Sequence, residues 1–245
     1  MKRYLHAFAM CQSMFCALPC PWNIWDEDAR DKMLLFLPAV GLEIGAIWAF
    51  LAWLASRLSL PAAVTGILLS ACPFVLTGYI HLDGYMDVTD AVKSGRSLDR
   101  RREMLKDSHV GSFAVIGCIL LLLAQFALFT AGNNSEPWIL ILIPAVSRLC
   151  SVLAISLLRP MSTSQYAGQT ASKKRITLLF IVMILFLLAG FFFCGRYGLA
   201  LIGCLAGYGM SLRRGYRSLE GMNGDISGYA LTIGELCGVA VWVLI

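Results

Sequence analysis

Gly111-Ser112-Phe113-Ala114-Val115-Ile116-Gly117-Cys118-Ile119-Leu120-Leu121-Leu122-Leu123-Ala124-Gln125-Phe126-Ala127-Leu128-Phe129-Thr130-Ala131 runs for 21 residues without an Asp, Glu, Lys or Arg. As a helix rising 1.5 Å per residue it measures about 31 Å, enough to cross a hydrocarbon core roughly 30 Å thick. Working outward, six more runs are apolar, three of them interrupted by a single charge: residues 33–56, 61–80, 137–158, 176–194, 197–212 and 228–245. The run 197–212 is short and rich in glycine, which suits close helix–helix contact better than lipid. Over the whole chain 58% of residues are hydrophobic and 14% charged, whereas a soluble domain carries about a quarter charged residues to cover its surface. The expected fold is therefore all-α: a polytopic integral membrane helix bundle of about seven transmembrane helices, forming one domain over residues 1–245.

The charges orient it. Placing the N-terminus in the cytoplasm puts 17 of the 20 Lys and Arg residues on that side; Arg57 and Arg196 fall outside, and Arg148 falls within a span. That asymmetry is the positive-inside pattern. It explains the net charge of +5 without nucleic acid as a partner; the partner implied is the lipid bilayer. The loops on the opposite side are short, so the polar chemistry faces the cytoplasm. Met1-Lys2-Arg3 followed by an apolar run resembles a signal peptide. His6, Gln12 and Ser13 argue instead for a retained helix, lying at the interface or packed on the bundle. The nine cysteines form no CxxC pair and sit mostly in apolar runs. That argues against a disulfide framework or zinc site and makes most of them packing residues.

Directly after the run 61–80 comes His81-Leu82-Asp83-Gly84-Tyr85-Met86-Asp87-Val88-Thr89-Asp90. Its aspartates are spaced i, i+4 and i+7, so on a helix all three fall within a stripe about 60° wide. Like charges at that spacing repel, and a cation is the natural compensator. Mg²⁺ takes oxygen ligands and commonly combines a few carboxylates with substrate phosphates. The plainer alternative is a solvated charge stripe beside neighbouring Lys and Arg.

Other polar residues join this segment. Lys93 to Lys106 form a basic stretch in which Arg96 and its neighbours suit phosphate, with Arg favoring bidentate contact; for Arg100, Arg101 and Arg102 the topology alone is sufficient reason. Glu43, Arg148 and Glu235 lie inside apolar runs, where an ionisable group costs at least about 2.5–3.5 kcal/mol and so marks either a site or a buried pair. Gly221-Met222-Asn223-Gly224-Asp225-Ile226-Ser227-Gly228 brings Asn223 and Asp225 between glycines at the head of the last run.

These pieces resemble the cobalamin synthase (adenosylcobinamide-GDP ribazoletransferase) family. The family pattern H-L-D-G-L-x-D-T-x-D-G is similar to residues 81–91, and M-K-D-S-R-x-G to residues 105–111; G-x-T-G-D-x-x-G is similar to residues 221–228, with Glu235 following. The early F-P-x-x-G-x-x-x-G appears at residues 37–45, enclosing Glu43. Departures are Leu37 for Phe, Ala91 for Gly, His109 for Arg and Asn223 for Thr; the carboxylates and Lys106 are kept. The resemblance covers nearly the whole chain. It implies a membrane-bound, Mg²⁺-dependent transfer from adenosylcobinamide-GDP to α-ribazole or its 5′-phosphate, with release of GMP, at a bacterial inner membrane.

With that family in view, Asp83, Asp87, Asp225 and Glu43 are the expected metal ligands. Asp90 is the expected general base, with His81 or His109 in reserve, and Lys106 assists the leaving group. Asp107, Ser108, His109, Arg96, Asn223 and Glu235 are expected to contact substrate. A CDP-alcohol phosphotransferase is the nearest rival, but no Ala-Arg follows Asp83-Gly84 and the spacing between aspartates is too short. A secondary transporter would show inverted repeats, and none is visible. The sequence leaves a homo-oligomer open.

Overall fold

Proline, glycine and left-handed turns cut the apolar sequence into helices in the computed structural model, which describes residues 2–22, 24–132, 136–161, 164 and 172–245. In chain order these are α1 (Lys2–Phe15), α2 (Arg30–Met33), α3 (Leu37–Arg57), α4 (Ala62–Leu76), α5 (Ile80–Lys93), α6 (Leu98–Met104), α7 (Ser112–Ala131), α8 (Leu142–Leu157), α9 (Lys173–Cys194), α10 (Leu199–Leu219) and α11 (Gly224–Leu244). Among the described residues there is no strand, only an isolated bridge between Pro160 and Met222. The all-α expectation holds.

Five stretches are long and apolar enough to cross a membrane: Glu27–Arg57, Ser112–Ala131, Pro137–Leu157, Lys173–Leu219 and Gly224–Leu244. A sixth arises if α4 and α5, which are bent by 92° at their junction, are taken as one broken span. The expected seven is thus an approximate count, and the difference lies in two places. One is the 47-residue stretch Lys173–Leu219, which reverses at Gly195–Gly198. A Cβ on Gly190 would touch the Leu201 side chain and one on Gly198 would touch Phe191, so α9 and α10 fold back on each other. The second arm, α10, becomes polar after Leu212. The other place is the α4–α5 junction. Gly78 (φ 57°) and Tyr79 (φ 64°) both adopt the left-handed conformation there, and the Thr77 hydroxyl closes the end of α4 on the Pro73 carbonyl at 2.9 Å. Beyond the bend α5 carries three aspartates, so we place it along the membrane edge, outside the spanning segments.

Burial sorts the helices by position. The span containing α8 is 78% buried and that containing α9 only 17%, so α8 is central and α9 faces lipid along Leu178, Ile181, Leu185 and Leu188. The main core gathers Ile44, Trp48, Phe129, Ile139, Leu149 and Trp242, with the Trp48 indole donating to the Leu69 carbonyl at 2.8 Å. A second apolar cluster of Tyr85, Val88, Leu219, Met222, Ile226 and Ala230 joins α5, α10 and α11. The N-terminal helix is packed rather than interfacial along its inner face: Ala7, Met10, Cys11 and Phe15 belong to the main core.

The basic segments converge. The Arg102 guanidinium donates to the Leu219 and Glu220 carbonyls at 2.9 and 3.0 Å. Arg175 donates to the Asp31 carbonyl at 2.9 Å. Across the bridge the Met161 N–H donates to the Met222 carbonyl and the Met222 N–H to the Arg159 carbonyl, both at 2.9 Å. One end of the bundle therefore collects the segments around residues 31, 102, 160, 175 and 220, together with the start of α11.

Candidate active site

The start of α11 lies across α5 at close range. A Cβ on Gly84 would stand 3.0 Å from both the Cα and the carbonyl oxygen of Asp225, and one on Gly228 would stand 3.1 Å from the His81 carbonyl oxygen. Only residues without side chains permit that approach. Three further contacts hold the crossing in register: Tyr85 stacks on Tyr229 at 5.8 Å, the Tyr85 hydroxyl donates to the Gly117 carbonyl on α7 at 3.1 Å, and Thr232 donates to the His81 carbonyl at 3.3 Å. Asn223 caps α11 by accepting from the Ile226 N–H at 3.0 Å, and its amide donates to Asp225 Oδ2 at 2.6 Å.

The consequence is an acidic cluster. Asp83, Asp87 and Asp90 come from α5 and Asp225 from α11. Burial, then the charges of Asp83, Asp225 and Asp90 in turn, push the Asp87 carboxyl up to about 7. Asp90 is held where a Cβ on Gly111 would collide with its carboxylate, so the glycine opening α7 leaves room for it. Three of the four expected metal ligands are thereby brought together. Glu43 is not among the charges acting on Asp87; it acts on the Cys16 thiol after α1, which lines the cavity that reaches Asp83.

Glu235 is placed elsewhere too. Its carboxylate accepts from Arg148 Nη1 at 2.6 Å and from the Ser147 hydroxyl at 2.7 Å, in a pair that is almost wholly enclosed. The charges within the apolar runs thus form the buried pair rather than a substrate contact with Glu235. His81 is buried, stacks on Phe15 at 6.1 Å, and is held well below its usual pKa by burial and then by the Arg148 charge. Its ring packs between α1 and α11, and it shares a small cavity of about 80 Å³ with Asp225.

Of the remaining expected residues, Lys106, Asp107, Ser108 and His109 lie on the loop between α6 and α7, and Arg96 on the connection between α5 and α6. Asp107 accepts from both the backbone N–H and the Nδ1 of His109, at 3.0 and 2.6 Å. The His109 hydrogen bond lowers the Asp107 pKa, and Asp107 in turn raises that of His109. Arg96, Lys106 and Ser108 are exposed. Arg96, Arg100, Asp107 and His109 line a cavity of about 300 Å³ that reaches Asp90 and Gly111. A second cavity, of about 520 Å³, lies between the end of α1 and the α4–α5 bend and reaches Asp83. Arg100 was readable from sequence only as topology, because nothing in Arg100-Arg101-Arg102 distinguishes its first member.

Among the described residues no three His, Cys, Asp or Glu side chains converge tightly enough to hold an ion as they stand. The oxygen donors of Asp83, Asp87 and Asp225 are of the type Mg²⁺ takes, one or two carboxylates being completed by waters and substrate phosphates. A cation held there would relieve the mutual repulsion at Asp87.

An all-helical bundle with membrane-spanning stretches and an acidic cluster beside cationic loops defines a polytopic membrane protein with a polar site at one end of the bundle. The chain belongs to the cobalamin-5-phosphate synthase family, whose model matches residues 7–243. It is 35% identical over 98% of both chains to a Clostridium perfringens protein named adenosylcobinamide-GDP ribazoletransferase. Proteins of the same name from Clostridium botulinum and Lachnoclostridium phytofermentans are 30% and 28% identical, over 98% of this chain and 97% and 94% of theirs. No solved structure matches the chain.

Proposed function

We propose that this chain is an adenosylcobinamide-GDP ribazoletransferase. It moves the adenosylcobinamide-phosphate group from adenosylcobinamide-GDP to α-ribazole or its 5′-phosphate, giving adenosylcobalamin or its 5′-phosphate and GMP, the last assembly step of the nucleotide loop. The names of its relatives along nearly their full length support the reading. The observation that carries it is the crossing of α5 and α11, which sets Asp225 among Asp83, Asp87 and Asp90.

The chemistry is displacement at phosphorus. A ribose hydroxyl oxygen of the acceptor bonds to the corrinoid-linked phosphorus, the bond from that phosphorus to the GMP oxygen breaks, and the hydroxyl proton passes to a base. Asp90 is that base, because it stands at the cavity shared with the α6–α7 loop. Asp83, Asp87 and Asp225 would hold Mg²⁺, which supplies charge neutralisation on the diphosphate and on the departing GMP. Lys106, exposed on the loop after α6, is free to meet the leaving phosphate. The arrangement works in the bacterial inner membrane with the N-terminus and the site on the cytoplasmic side, in keeping with the basic segments gathered at that end.

GMP release from adenosylcobinamide-GDP by purified protein, with α-ribazole present and Mg²⁺ added or chelated, tests the proposal. Release that needs both is expected. Release without a divalent ion would remove the metal assignment, and no release under any condition would remove the transferase.

A further inference from the structure

We infer that the α6–α7 loop cavity is the acceptor subsite, and that Arg96 and Arg100 read the 5′-phosphate of the acceptor nucleotide. The inference rests on the transferase reading and assigns its substrates to places. Two of the cavities touching the acidic helix are lined by its aspartates. The larger, at the α4–α5 bend, meets Asp83 and has no other charged residue in its wall. The loop cavity meets Asp90 seven residues further along α5, about 10 Å along its axis, and holds two guanidinium groups. A phosphate monoester carries close to two negative charges at neutral pH and favours planar, bidentate arginine donors. Of the two cavities only the second offers them.

The charges there are available. Arg96 makes no ion pair among the described residues, and its loop position is exposed. Arg100 pairs with Glu103 at 2.8 Å, but both side chains are 61% exposed, and such a surface pair is weak enough for a phosphate to displace. The same cavity supplies what the other end of the ligand needs. Asp90 is packed against Gly111 and stands where a ribose hydroxyl could lose its proton. A nucleoside monophosphate presents a hydroxyl and a phosphate on one ribose, so a carboxylate and two arginines lining one cavity of about 300 Å³ match that pair of groups. The donor then lies over Asp83 and Asp87, with the larger, less charged cavity left for its corrinoid side.

The test compares two acceptors in the full chain at saturating adenosylcobinamide-GDP. The quantity read is the ratio of kcat/KM for α-ribazole 5′-phosphate to that for α-ribazole. Arg96→Ala and Arg100→Ala should each lower this ratio about 10- to 100-fold, as expected for removing a hydrogen bond to a charged group, and Arg100→Lys should fall between. A loss of thermal stability would move both acceptors alike and leave the ratio unchanged. An unchanged ratio in the alanine variants, or a rise in KM for the donor alone, overturns the assignment. If the wild type releases GMP with neither acceptor, the transferase reading fails instead.

Discussion

Asp87 joins two properties that are normally kept apart, since the same surroundings that suit it to bind a cation make it unfavourable without one. Its pKa of about 7 lies above the 3.8 of a free aspartate, so folding favours its protonated form. A raised carboxylate pKa contributes most below the unfolded value, and that contribution is lost as pH rises from about 4 to about 7. Without divalent ions, the melting temperature in detergent should therefore fall across that window. Adding Mg²⁺ at pH 7.5 should recover it, because a ligand that binds only the folded state stabilises it. Asp87→Asn should flatten the pH dependence and nearly abolish GMP release while the protein still inserts. An Asn variant that turns over at the wild-type rate would contradict the role given to the carboxylate. The buried pair behaves differently. Truncating Glu235 to Ala leaves the Arg148 guanidinium enclosed and unmatched, a loss of about 3–5 kcal/mol. The double substitution Arg148→Met with Glu235→Leu should regain much of that stability in the same melting measurement.

At the scale of elements, the α5–α11 crossing depends on a missing side chain. Gly84→Ala places a methyl group 3.0 Å from the Asp225 backbone. The start of α11 must give by a few tenths of an ångström, carrying Asp225 with it. Turnover should drop at least tenfold with little change in membrane yield, since positioning errors of this size cost far more in rate than in folding. Gly209→Ala on α10 is the control, because a Cβ there meets nothing within 4 Å; it should leave both quantities as they are. If the two substitutions behaved alike, the crossing would have no special place in the site. Much of α5 was legible beforehand: the i, i+4, i+7 aspartates fix a shared face by helix geometry alone. Asp225 could be named from its glycine-flanked position, but nothing local shows which helix it meets. The 92° bend before α5 was hidden for a similar reason, because its second left-handed residue is Tyr79 rather than glycine. Glu43 and Glu235 looked equivalent in sequence, each a carboxylate in an apolar run. Only packing reveals that one lies near Cys16 and the other finishes an ion pair with a different helix.

At the scale of the whole molecule, the sidedness of the bundle is the feature on which cytoplasmic chemistry depends. The Arg102 guanidinium bond to the Leu219 carbonyl, and the backbone bonds that join residues 159, 161 and 222, fasten the basic segments at one end with the acidic cluster. The turns at Ser59 and at Gly195–Gly198 belong to the connections assigned to the other end. Positive charge is retained on the cytoplasmic side during insertion, so labelling should divide by end. In a background with the native cysteines replaced, Glu103→Cys and Glu220→Cys should react with a membrane-impermeant maleimide only in inside-out vesicles. Ser59→Cys and Arg196→Cys should react only in right-side-out vesicles or intact cells. All four of these positions are exposed, so reactivity reports side rather than burial. Labelling of residue 103 from outside would place the aspartates, and any nucleotide they handle, on the wrong face of the membrane for cytoplasmic substrates. Labelling of residues 103 and 220 from opposite faces would mean that α10 does not return to the end where Arg102 holds its terminus, and the fold itself would need revision.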